Sequence, residues 1–153
     1  MSNSSFEITI PTGTPLTGGL SAKVVDLEGV TPGNIIRAAD DWAVHFEWSL
    51  KGPLAGCICG EFCLRVFLES IGPGPEIAIP YKDGVRVPLD PCGDGEYHYF
   101  FKVPAGTIPA EACGPAYRVV GSLSFYNTCN QPGPISGFCD LGMVQFYDST
   151  SHA

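Results

Sequence analysis

The chain has 153 residues, 44% hydrophobic and only 16% charged, a balance that belongs to globular rather than disordered proteins. Its 16 acidic and 8 basic residues give a net charge of −8, and no Lys/Arg cluster is present, which excludes a surface for a nucleic-acid phosphate backbone. No apolar run reaches the roughly 20 residues of a membrane span.

This length predicts one domain. Residues 1–5 read as a polar tail, 6–148 as the domain and 149–153 as a second polar tail. The opening Met-Ser-Asn-Ser-Ser carries neither the basic n-region nor the apolar h-region of a secretory signal. The expected location is therefore cytoplasmic, or exported by a signal-independent route. Nineteen glycines and 14 prolines, spread without a period, punctuate many short segments, as an all-β chain requires.

Phe6 to Ile10 alternates as a short strand with Phe6, Ile8 and Ile10 on one face, and Pro11 to Gly19 reads as an extended connector. Ser21 to Leu27 is a weaker strand, followed by a Pro32-Gly33-Asn34 turn. Trp42 to Leu50 is the strongest element. Trp42, Val44, Phe46, Trp48 and Leu50 share one face and Ala43, His45, Glu47 and Ser49 the other, the period of a half-buried strand. Leu64, Val66 and Leu68 alternate with Arg65, Phe67 and Glu69. Ile77–Ile79 and Val85–Leu89 flank a Tyr81-Lys82-Asp83-Gly84 turn and are expected to be separate strands. Tyr97, Tyr99, Phe101 and Val103 form a further inward face, as do Tyr117, Val119, Leu123 and Phe125, and Met143 to Tyr147 closes the sheet.

Seven to nine strands without a helical period predict an antiparallel β-sandwich. The long Trp-bearing strand in the first half favours an immunoglobulin-like arrangement, although no cysteine precedes either tryptophan as in antibody domains.

The seven cysteines are Cys57, Cys59, Cys63, Cys92, Cys113, Cys129 and Cys139. All but Cys63 lie beside turn-forming residues, unlike the usual core cysteine. With strands alternating up and down, Cys57, Cys59 and Cys113 are expected at one end, and Cys92, Cys129 and Cys139 toward the other. Three readings stay open: disulfides within each end, leaving one thiol over; zinc held by Cys57, Cys59 and Cys63 with a fourth ligand from elsewhere; and reduced thiols packed against loops.

No cofactor is required by the sequence. Besides zinc, the alternative is calcium in the acidic loop Asp90-Pro-Cys92-Gly-Asp94-Gly95, using Asp90, Asp94 and Glu96, although position twelve of that loop is Phe101 rather than glutamate. No nucleophile elbow, phosphate-binding loop or zinc-protease motif is present, so no catalytic residue is assigned. A Cys–His dyad, such as His98 with Cys92 or Cys129, would need the two side chains within hydrogen-bond reach, and His152 lies in the C-terminal tail. The adjacent Asp40 and Asp41 read as turn carboxylates.

Two functions fit. One is a structural or protein-interaction module that assembles with another protein or with its own copies, by edge pairing or by exchange of the Phe6–Ile10 strand. The other is a ligand-binding, carbohydrate-type surface on which Phe67, Phe100 and Tyr126 stack on sugar rings, with His45, Glu47, Arg65, Glu69 and His98 nearby.

Overall fold

A computed structural model describes residues 16–26, 35–37, 39–71, 76–79, 84–108 and 116–147. The two tails, the Phe6–Ile10 segment, most of the connector after it, the 32–34 turn, residues 81–83, Cys113 and His152 lie outside the described residues.

Nine strands are formed among them: β1 (Thr17–Val25), β2 (Ile35–Arg37), β3 (Trp42–Lys51), β4 (Gly60–Ser70), β5 (Ile77–Ile79), β6 (Val85–Pro88), β7 (Glu96–Val103), β8 (Ala116–Asn127) and β9 (Pro132–Tyr147). One 3-10 turn, Ala55–Cys57, stands between β3 and β4. The described residues are thus mostly β, as composition and periodicity predict. β1 starts four residues before the expected strand, and β9 extends the expected closing strand back to Pro132. Gly133, Gly137 and Gly142 interrupt the apolar alternation of β9, so its first half does not read as a strand.

The strands form two sheets, ordered β1-β3-β7 and β2-β9-β8-β4-β5, with β6 also paired to β4. The expected antiparallel pairing holds at every described strand pair but one: β2 runs parallel to β9, Ile35 opposite Gln145 and Arg37 opposite Tyr147. A three-residue strand with no alternation carries no such signal in its sequence.

Period-two alternation sends β3 inward at Trp42, Val44, Phe46, Trp48 and Leu50, all buried. They share one hydrophobic core with Phe62, Leu64, Val66 and Leu68 of β4, Val119, Leu123 and Phe125 of β8, and Val144 and Phe146 of β9. Aromatic pairs join the sheets: Trp48 meets Phe62 edge to face at 5.5 Å, and Trp42 lies 5.5 Å from Phe146. Gly121 of β8 makes room for Phe46, whose Cε1 would lie 2.8 Å from a Cβ at that position.

β5 and β6 are two pieces of one lane. β5 pairs with Val66–Leu68 of β4 and β6 with Glu61–Leu64, both antiparallel. The chain therefore travels the sheet once, not twice, between β4 and β7. This reverses the expected polarity of everything downstream. The 3-10 turn with Cys57 and Cys59, the β6–β7 turn with Cys92 and the β8–β9 turn with Cys129 all lie at the same end, marked by Lys51, Gly60, Glu96 and Asn127. Cys139 belongs to neither end; it pairs with Gly121 in the middle of β9.

Candidate functional site

The outward faces of β1, β3 and β7 form one surface. Register places His45 between Lys23 and Phe100, and Glu47 between Ser21 and His98. His45 stacks on Phe100, ring centroids 4.1 Å apart and planes 2° from parallel, while His98 meets both rings edge-on at 5.8 and 6.3 Å. Glu47 Oε1 approaches His45 Nδ1 at 3.5 Å. His45 Nε2 is buried without a hydrogen-bond partner. Burial is the main cause that holds the His45 imidazole below its usual pKa; Glu47 opposes this, and Lys23 and His98 add to it.

This has a definite sign. A histidine whose folded pKa is lowered binds fewer protons folded than unfolded, so stability is lost as pH falls below about 6.5, where the unfolded histidine protonates. His45→Gln is expected to flatten that part of the thermal-midpoint profile between pH 7 and 5, measured by circular dichroism against the parent chain; an unchanged slope would exclude the assignment.

The opposite surface, on β6, β4, β8 and β9, carries the remaining expected residues. Arg65, Phe67 and Glu69 line the outer face of β4, and Tyr126 that of β8. The three aromatics of the expected sugar platform do not meet: Phe100 belongs to the other sheet, and Tyr126 already carries the Arg86 guanidinium at 4.0 Å from its ring centroid. Outward parity puts each of them on an outer face, but parity alone does not say which sheet. Cys63, opposite Arg86 on one side and Ser124 on the other, is fully buried along the path Arg86 takes to Tyr126.

Among the described residues no disulfide joins the cysteines and no three potential ligands gather around a common point. Cys57, Cys59, Cys92 and Cys129 are exposed, and a Cβ on Gly56 would lie 3.6 Å from the Pro91 carbonyl, so the turns bearing Cys57 and Cys92 touch. Cys63 is buried within β4, whereas Cys57 and Cys59 are exposed before it. Cys139 donates its thiol hydrogen to the Leu20 carbonyl at 3.4 Å, and burial pushes its pKa up.

The acidic loop carboxylates are engaged in shaping their own turn. Asp90 accepts the Cys92 N–H at 3.0 Å, Asp94 accepts the Glu96 N–H at 2.9 Å, and Glu96 pairs with Lys51 at 3.0 Å. The Tyr97 hydroxyl closes the loop through Asp90. Asp41, expected as a turn carboxylate, accepts the Ala105 N–H at 2.6 Å and fastens the far end of β7.

One feature escaped the sequence. β7 is the outermost strand of its sheet, and among the described residues nothing pairs with its second edge. The hint available was length: only seven residues separate Pro88 from Glu96, too few for a turn plus another strand.

No protein-family model matches this sequence, and no curated protein is significantly similar to it.

Proposed function

We propose that the chain is a non-catalytic, immunoglobulin-like β-sandwich that joins other copies of itself by strand addition at the free edge of β7. The strand order supports the fold reading. Taken as A, B, C, E, F and G, the strands β1, β3, β4, β7, β8 and β9 divide between sheets as A-B-E and C-F-G. The antibody constant arrangement has a fourth strand beyond E. Here that place, beside β7, has no occupant among the described residues, and this single observation carries the proposal.

An unpaired edge presents a row of backbone donors and acceptors that accepts an added strand. β7 is eight residues long, Glu-Tyr-His-Tyr-Phe-Phe-Lys-Val, with neither proline nor glycine to blunt it. The Phe6–Ile10 segment of a neighbouring copy has the alternation to pair along five of the eight residues of β7.

Light scattering on the full chain, under reducing and oxidising conditions, tests this. Oligomers are expected that the combined Phe6→Ser, Ile8→Ser and Ile10→Ser substitutions convert to monomer. A full chain that stays monomeric at every concentration, or oligomers that survive those substitutions, would overturn the proposal.

A further inference from the structure

On the side where β1 and β9 approach each other, a cleft of about 420 Å³ opens between the two sheets. Its walls are mostly apolar, with Leu20, Trp48, Phe62, Leu123 and Ile135 around Gly137 and the hydroxyl residues Thr17, Ser49 and Ser136 beside them, and none of the described residues lining it is charged. Register explains the space. Gly137 faces the core opposite Leu123, and Leu20 opposite Trp48, so one inward position of β9 contributes no side chain to the layer between the sheets.

Nothing in the backbone demands glycine there. A Cβ on Gly137 would meet only Leu20 Cδ2, at an ordinary 3.6 Å, and its φ is not in the left-handed region. Gly121 and Gly133 differ, since a Cβ on either would lie 2.8 Å from a phenylalanine ring. An interior gap left where a side chain fits forfeits packing.

A second observation is independent of the first. Trp48, 4% exposed, carries an indole N–H with no hydrogen-bond partner and no contact with solvent. A buried indole N–H ordinarily finds an acceptor. Trp48 is also one of the residues that line the cleft.

We propose that this cleft is a binding site for a small, uncharged, apolar molecule carrying one hydrogen-bond acceptor, such as a ketone, ester or ether. The molecule fills the space left open at Gly137, and a small shift of the indole edge lets Trp48 donate to its oxygen. Volume and lining match those of small-molecule sites, which are mostly apolar with few placed polar groups. With no charged residue among the described residues of the lining, the site selects against anions and cations.

Two probes of equal shape test it on the full chain: 2-acetonaphthone, which has a carbonyl acceptor, and 2-ethylnaphthalene, which has none. Titration followed by the Trp48 indole N–H resonance is expected to saturate with both, with the ketone bound about 2- to 10-fold tighter. Trp48→Phe is expected to erase that preference, the two probes then binding the variant with equal affinity, followed through backbone amides. Gly137→Leu is expected to abolish binding of both, and Gly137→Ala, a smaller change, to weaken it. No saturable shift, equal affinity of the two probes for the parent chain, or undiminished binding by folded Gly137 variants would overturn the proposal.

Discussion

Replacing Phe46 by alanine is expected to lower the free energy of unfolding by about 3–5 kcal/mol, the range for emptying a buried phenylalanine site. Phe46 is fully buried at the centre of β3, the middle strand of its sheet. Its ring packs edge to face on Phe101 at 6.1 Å and rests on Gly121 of the other sheet. Alanine leaves a gap that neither neighbour can close, because Gly121 has no side chain to move and β3 is paired on both edges. Domains of this kind have only about 5–15 kcal/mol of total stability, so the variant sits near its folding threshold. Urea unfolding measures this, with a lower midpoint and an unchanged slope. A loss below about 1 kcal/mol, the level of a lightly packed surface residue, would show that the sheets do not meet there.

Gly121→Ala is expected to cost about 1–3 kcal/mol by the opposite route, overpacking. The added methyl would lie 2.8 Å from Phe46 Cε1 and 3.0 Å from Cζ. Those atoms are the far end of a side chain, but its burial gives it nowhere to go. The clash belongs to one pair of residues, so Phe46→Leu should relieve it. The double variant should be more stable than the sum of the two single losses predicts, by about 0.5–3 kcal/mol, a coupling that a double-mutant cycle in urea reads directly. Strict additivity would place the damage elsewhere, in the backbone of β8.

Both predictions rest on elements that the sequence displays openly. In β3 the alternation of nine residues fixes which side chains are inward, and all five expected core residues are buried. The β4, β7 and β8 alternations read equally well, because a strand with one buried face writes its period into its own side chains. Pairing is a different matter. Whether Val85–Pro88 starts a new pass across the sheet or continues Ile77–Ile79 depends on where β4 lies, and no local pattern records it. The error passed to the cysteines, putting Cys92 and Cys129 at the wrong end. The same non-locality hid the parallel β2–β9 contact and divided the expected aromatic surface between two outer faces. For the candidate sites, His45, Glu47, His98 and Phe100 read as outward residues, but the sequence grouped them with Arg65, Phe67, Glu69 and Tyr126 of the other sheet. The edge of β7 and the cleft at Gly137 were not legible, since each is a place with no neighbour among the described residues.

The parallel pairing of β2 with β9 also bears on how the fold would respond to force. The described chain enters at Leu16, beside the Lys51 end of the sheets, and leaves at Tyr147, beside the opposite end where Ser70 faces Tyr117. Tension drawn through the flanking segments therefore runs along the strand axes. It drags β1 lengthwise past β3 and pulls β2 and β9, which point the same way, in opposite directions. The hydrogen bonds of both pairs then bear the load together, in shear, instead of opening one after another like a zip. Copies joined as proposed, through their edge strands, would pass tension from one to the next in this direction.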